Sequence, residues 1–158
     1  TDLKEINEHN TIVDLIRNDL SKYAKQIQVT RFRYLEKIKT SKKDIYQTSS
    51  TIQGKLNKDW KKQLPELLFS LLPAGSISGA PKEKTIQIIK EVEKEKRGYY
   101  TGVFGYFDGE NLDSGINIRY LEKKDGVSRY RSGGGITSLS DLDTEYNELI
   151  EKIYVPVV

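Results

Sequence analysis

Two Asp-Gly dipeptides set the tightest limits on how this chain folds. Asp108-Gly109 follows the strand-like run Tyr99–Phe107 and precedes Leu112–Leu121. Asp125-Gly126 follows that second run and precedes Val127–Arg131. Asp-Gly between alternating apolar residues is a strong hairpin signal, because it tolerates the positive φ of a tight turn. Three runs joined by two such turns predict an antiparallel meander. Directly after it come three glycines, Gly133, Gly134 and Gly135, then a short polar loop and a helix. That helix opens at an N-cap, Asp141 or Asp143. Leu142, Tyr146, Leu149 and Ile153 are expected to face the core, with Glu145, Glu148 and Lys152 on the opposite side.

Upstream the chain alternates between helical and extended patterns. Residues 2–19 read as a helix carrying Ile6, Val13, Leu15 and Ile16, with Asn18-Asp19 as a stop. Residues 27–38 alternate apolar and polar as a strand or hairpin, and 44–56 form another β-leaning run broken at Gly54. Trp60 to Leu72 is predicted helical from Trp60, Leu64, Leu67, Leu68 and Leu71. Pro73 to Pro81 is predicted as a loop. A helix over 81–96 begins at Pro81, whose missing N–H costs nothing in a first turn. It is expected to bury Ile86, Ile89 and Val92 and to end at Gly98. Helices and strands in this order indicate an α+β fold with antiparallel sheets packed with helices, rather than a regular βαβ alternation.

Composition narrows the chemistry. The 158 residues suffice for one domain. No cysteine is present, which excludes disulfides and thiolate metal sites and agrees with a reducing, cytoplasmic setting. A single histidine, His9, leaves little room for a Ser-His-Asp or Cys-His apparatus, and His9 reads as structural. The net charge of +3 is small, with lysines clustered at Lys37–Lys43 and Lys58–Lys62, so the basic residues read as solvated surface and no nucleic-acid partner is expected. No apolar run approaches the roughly 20 residues of a membrane helix, so no membrane partner is expected either. The chain begins at Thr1 and contains no methionine, and is read as a piece of something longer.

Several constellations carry candidate chemistry. Glu145 and Glu148 lie three apart on one helix face, and Glu5 and Glu8 repeat that spacing on the first helix. Such pairs are either solvated surface or oxygen ligands, and oxygen-only donors suit Mg²⁺. The Gly133–Gly135 backbone offers N–H groups with no side chain in the way. Pro73-Ala74-Gly75-Ser76-Ile77-Ser78-Gly79-Ala80-Pro81-Lys82 places glycines and serines before a helix N-terminus. It is either an anion site or a connecting turn, and its glycine spacing excludes a P-loop. Arg119, at the end of Ile116-Asn117-Ile118, either clamps a carboxylate or makes a surface ion pair. Tyr100 and Tyr106 flank Gly102 and Gly105, where a ligand or another backbone approaches closely.

Taken together these motifs resemble the chorismate-utilising enzymes. Glu5-Ile6-Asn7-Glu8-His9 through Ile12-Val13-Asp14-Leu15-Ile16-Arg17-Asn18-Asp19-Leu20 is similar to one family signature, and Pro73–Lys82 to another. Arg97–Tyr106, Asp113–Arg119 and Gly133–Glu148 match further blocks in the family's order. The resemblance implies that the chain is the C-terminal portion of the chorismate-binding fold. It implies chorismate as substrate, with Tyr100, Arg119, Gly133, Gly134, Gly135 and Ser76 at the substrate. It implies Mg²⁺ ligated by Glu8 and Glu148, with Glu5 and Glu145 holding its waters. Gln47 stands where the family usually carries histidine, Arg119-Tyr120 replaces Arg-Thr, and Thr137-Ser138-Leu139-Ser140 replaces Ala-Asp-Ser.

Within the family, Ser76 and Gly134 lean toward aminodeoxychorismate synthase component I. That member would take ammonia from a glutamine amidotransferase subunit or domain. Its nucleophilic lysine is expected upstream of Thr1, so no catalytic nucleophile is assigned within these residues, and the isolated piece is expected to be inactive. Anthranilate synthase component I, another chorismate-utilising enzyme and a non-catalytic Mg²⁺ and anion-binding fragment are the alternatives.

Overall fold

The computed structural model describes residues 3–39 and 44–153. The chain divides into two compact units, Thr1–Lys94 and Glu95–Val158. The combination of helices with antiparallel two-stranded sheets is the α+β class expected from the sequence. Position 2 and part of the Lys37–Lys43 cluster lie outside the described residues.

The first unit is built around helix α1, Leu3–Ser21. It packs against strands β1 (Ala24–Ile38) and β2 (Ile45–Leu56) and against the short helix α3 (Gly75–Ser78). Val13 on α1 and Ala24 at the start of β1 are buried. Asn18-Asp19 does not stop α1. The helix runs two residues further, to Ser21, with Asp19 buried and paired with Lys22 and Lys82. β1 and β2 form one long antiparallel hairpin, and Gly54 does not break β2. The β1 register shifts three times, and Gln26 and Arg33 take positive φ of 54° and 47° near the shifts. An inserted residue at such a bulge raises the local twist of a strand.

The Trp60–Leu72 helix begins as a 3-10 turn, Trp60–Gln63, and becomes α2 at Leu64–Leu71, with Pro65 in its first turn. The expected Pro73–Pro81 loop contains α3, which the glycine and serine content did not suggest. Helix α4, Lys82–Val92, stops four residues short of the predicted end. Glu93 is already extended (φ −78°, ψ 120°), and the Glu93–Lys96 charges offer no apolar position to continue the stripe. Ile86 and Ile89 are half-buried, but Val92 is 70% exposed, contrary to expectation.

The second unit holds two hairpins and a helix. β3 (Val103–Phe107) pairs with β4 (Leu112–Ile116), and β5 (Tyr120–Lys124) with β6 (Val127–Arg131). The expected three-strand meander is therefore two separate hairpins. The run Leu112–Leu121 breaks at Asn117–Arg119, where Arg119 adopts φ of +52°. An arginine gives no local hint of that conformation.

The two Asp-Gly turns behave differently. Asp125 and Gly126 both take positive φ (51° and 76°) in a two-residue turn joining Lys124 to Val127, as a primed hairpin requires. Asp108 instead heads a four-residue loop. Its Oδ1 accepts from the Glu110 and Asn111 amides at 2.7 and 2.6 Å. Those bonds hold its carboxyl below the usual range.

Helix α5, Leu142–Glu151, has its N-cap at Asp141, resolving the two candidates. Asp141 Oδ1 accepts from the Thr144 amide at 3.0 Å and its hydroxyl at 2.7 Å. The predicted core stripe of α5 is a correction. Leu142 is 83% exposed, and Tyr146 and Ile153 are exposed too, with only Leu149 half-buried. Helical periodicity identifies an apolar stripe, but not whether a neighbouring element within this unit covers it.

Candidate functional site

In the second unit, Tyr100 and the triple glycine meet. A Cβ at Gly133 would collide with the Tyr100 hydroxyl and stand 3.3 Å from its Cζ. Only glycine therefore admits the phenol at that point. The Tyr100 ring is half-buried, with the Arg97 guanidinium 5.6 Å from its centroid, inside cation–π range. Arg97 Nη1 also donates to Thr101 Oγ1 at 3.1 Å. The segment behind the tyrosine is fixed by backbone bonds. The Thr101 amide donates to Asn117 O at 2.9 Å, and the Asn117 amide to Gly102 O at 2.8 Å. Asn117 Nδ2 donates to Tyr99 O at 3.1 Å. These bonds extend the β3–β4 pairing by a step and hold Tyr100 beside the glycines.

The glycine run leads on to the α5 glutamates. A Cβ at Gly134 would lie 3.9 Å from Glu145 Oε2. Glu145 Oε1 accepts from Ser140 Oγ at 2.6 Å, and Ser140 Oγ in turn receives the Thr137 amide at 3.0 Å. Glu148, one turn further, is exposed and ion-paired with Lys152. Gly135 has open space where a Cβ would stand. Tyr100, Gly133, Gly134 and Glu145 are thus neighbours in one unit. Arg119 is exposed and lies in the link between β4 and β5, not on a strand as expected.

On β6, Arg131 is gripped by Glu122 through Nε at 3.1 Å and Nη2 at 3.0 Å, which raises its pKa. That pairing leads directly into Ser132 and the glycines. Ser132 Oγ and Tyr120 Oη are buried without a hydrogen-bond partner among the described residues. Buried polar atoms left in this state are uncommon and call for a partner. Ser132, Ser140 and Arg97 are not among the site residues expected from the sequence, although Arg97 and Ser140 lie in the motif blocks. The signal available was their adjacency to the motif residues Gly133, Glu145 and Tyr100 respectively.

The remaining predicted residues lie in the first unit. Glu5 is exposed and Glu8 half-buried on α1. His9, expected to be structural, contacts both strands of the hairpin. Its Nε2 is 2.7 Å from Ser50 Oγ, and its ring meets Phe32 edge-on at 5.9 Å. Burial first, and then the Arg33 charge, lower its pKa, which favours the neutral ring. Gln47 is exposed on β2, opposite Glu36 on β1. Its Nε2 donates at 3.3 Å both to Glu36 Oε2 and to Ser49 Oγ. Ser49 Oγ donates to the same Glu36 oxygen at 2.7 Å. Ser76 is exposed on α3.

The donor chemistry of both glutamate pairs, oxygen only, fits a hard cation such as Mg²⁺. Ser140 Oγ donates to Glu145, and the Lys152 ammonium pairs with Glu148 one turn away on α5. Among the described residues no three His, Cys, Asp or Glu side chains gather to hold a metal by themselves. Among them, too, no helix is long and apolar enough to cross a membrane.

Comparison with known proteins gives this geometry its context. The family description "chorismate binding enzyme" matches residues 1–157. An uncharacterised PabA-like protein of Pasteurella multocida is 60% identical over 154 residues, spanning 98% of this chain and 48% of that protein. A PabA-like protein of Haemophilus influenzae, also uncharacterised, is 58% identical over 157 residues, spanning 99% and 48%. Anthranilate synthase component 1 of Acetivibrio thermocellus is 39% identical over 156 residues, spanning 96% of this chain and 30% of its own length. The crystal structure of anthranilate synthase component I from Streptococcus pneumoniae superposes with a TM-score of 0.78 at 33% identity, covering 97% of this chain and 34% of that one. The chain spans about half the length of the PabA-like relatives. With nearly every residue inside the family match, and a fold shared with a solved member, the chain belongs to the chorismate binding enzyme family.

Proposed function

We propose that this chain is part of an enzyme that aminates chorismate to 4-amino-4-deoxychorismate, with ammonia delivered by a glutamine amidotransferase subunit or domain. The observation that carries the reading is the approach of the Tyr100 hydroxyl to Gly133, with Glu145 beside Gly134. A phenol, a bare backbone and a carboxylate then lie together where a small dianion needs a donor, an amide cradle and a cation ligand. The choice of this branch is supported by identities of 60% and 58% to PabA-like proteins against 39% to an anthranilate synthase. Ser76 and Gly134 favour the same branch.

In this reading Arg119 grips a chorismate carboxylate as a planar two-pronged donor. The backbone N–H groups of Gly133–Gly135 receive substrate oxygen, and the Tyr100 hydroxyl orients it. Ser76 adds a further hydroxyl. In the second unit Glu148 would be a ligand to Mg²⁺ with Glu145 on its waters, and in the first unit Glu8 would be a ligand with Glu5 on its waters. When bound, the ion stabilises carboxylate charge that builds as the 4-hydroxyl departs. Ser140 orients the Glu145 carboxylate, and Lys152 would yield Glu148 to the ion.

The test uses the full-length protein with chorismate, ammonium and Mg²⁺, followed by product analysis. 4-Amino-4-deoxychorismate is the expected product, and chelation of Mg²⁺ is expected to abolish turnover. Anthranilate as sole product replaces this reading with the second one, anthranilate synthase, which the 33% identical solved structure favours.

A further inference from the structure

The Pro73–Lys82 segment is tied to α1 at both ends. Near its start, Gly75 is buried against Leu15, where an added Cβ would lie 2.9 Å from Leu15 Cβ. At its end, Lys82 Nζ lies 3.2 Å from Asp19 Oδ2, across 63 residues of chain. The side chains of Asp19 and Lys82 are only 10% and 22% exposed. The other Asp19 oxygen takes Lys22 at 2.9 Å, but Lys22 is half exposed and lies three residues on in the chain. Burial opposes the ionised form of Asp19, and the two lysine hydrogen bonds outweigh it, so its pKa falls.

A buried ion pair contributes little net stability, because desolvation offsets the attraction. What it adds is geometry, since Asp19 Oδ2 takes Lys82 in one place while Oδ1 is already occupied by Lys22. Between the two anchors the turn is closed on itself. The amides of Ile77 and Ser78 donate to Ala74 O at 2.9 and 3.0 Å, and the Gly79 amide to Gly75 O at 2.9 Å. Ser78 is buried, with its hydroxyl on Ala74 O at 3.2 Å, whereas Ser76 is exposed. One serine is consumed by the turn and the other is presented.

We infer that Asp19 and Lys82 are positioning residues, whose ion pair sets the Gly75–Ser78 turn and with it the presentation of Ser76, the hydroxyl that the chorismate reading assigns to substrate. The inference rests on the chorismate reading above, and its test separates the two. In the full-length protein, Lys82→Met is expected to raise the KM for chorismate about tenfold while leaving kcat within about twofold. Amide exchange at Ser76–Gly79 is expected to speed up in the same variant. Lys82→Arg restores KM, because the charge and reach are kept. Lys22→Met removes the exposed partner of the same carboxylate and leaves KM unchanged. Asp19→Asn reproduces the KM effect and serves if Lys82→Met does not fold. A wild-type protein that does not consume chorismate overturns the functional reading and this inference with it. A wild-type protein that does, while Lys82→Met keeps its KM, overturns this inference alone. So does Lys22→Met raising KM as much as Lys82→Met, since the effect would then belong to local charge and not to the tether.

Discussion

Replacing Gly133 by alanine adds one methyl at the point where Tyr100 crosses the glycine run. The new Cβ would run into the Tyr100 hydroxyl and stand 3.3 Å from Cζ. Comfortable contacts begin near ~3.5 Å, so the phenol has to withdraw by about an ångström. The ring is half-buried, and its neighbour Arg97 follows it, so part of the displacement is absorbed at the surface. The cost to the fold therefore falls at the low end of overpacking, about 1 kcal/mol. On the chorismate reading, function loses more. A substrate-positioning group misplaced by about an ångström costs roughly 10²-fold in rate, or about 2.7 kcal/mol of barrier.

Two measurements on the full-length protein check this account. Denaturant unfolding compares wild type, Gly133→Ala, Tyr100→Phe and the double variant. Removing the hydroxyl removes the atom that the methyl meets, so the double variant is expected to be more stable than additivity predicts, by about 0.5–1 kcal/mol. Chorismate turnover is expected to fall roughly 10²-fold in Gly133→Ala. Gly135→Ala, where the methyl enters open space, is expected to leave stability unchanged or raise it slightly. Strict additivity of Gly133→Ala and Tyr100→Phe would refute the contact. Equal destabilisation by Gly133→Ala and Gly135→Ala would refute the steric argument.

Three further outcomes follow from other parts of the fold. Asp19→Asn is expected to destabilise the protein by about 1.5–3 kcal/mol at neutral pH, because two lysines lose a charged acceptor. The folded-state pKa of Asp19 is depressed. Its contribution is therefore complete above the ordinary carboxylate value and is lost as pH falls through the folded value, so the gap between wild type and Asp19→Asn in unfolding free energy should close in strong acid. Gly75→Ala is expected to cost about 1–3 kcal/mol by pushing α3 off Leu15, and Leu15→Ala, which keeps the Cβ that the new methyl meets, is expected to give no rescue in the double variant. Asp141→Ala removes the N-cap acceptor of α5 and should lower the thermal midpoint, with faster amide exchange at Thr144 than in wild type.

Local chemistry was legible from residue order alone. The Asp125-Gly126 turn, the Asp141 cap, the α1 helix and the strand runs all depend on neighbours within a few positions, where propensity and periodicity act. The motif order also pointed to the family, because five short patterns in register do not require a tertiary structure to be read. The misses share a cause. Arg119 leaves the strand, and Gln26 and Arg33 sit in bulges, through positive φ values that their side chains do not favour, so the demand comes from the surrounding chain. The α5 stripe was real as a period, yet exposure depends on what packs there and not on the period.

Sequence by itself determined the alternation of helix and hairpin, the glycine run, the two glutamate pairs and the kinship with chorismate binding enzymes, since each is a statement about residue types at fixed spacing. Only the tertiary structure decided that Tyr100 meets Gly133, that Lys82 reaches back to Asp19, and that Ser78 is buried while Ser76 is presented. Those outcomes join residues two to more than sixty positions apart. They are set by sterics and burial between packed segments, which no local pattern encodes.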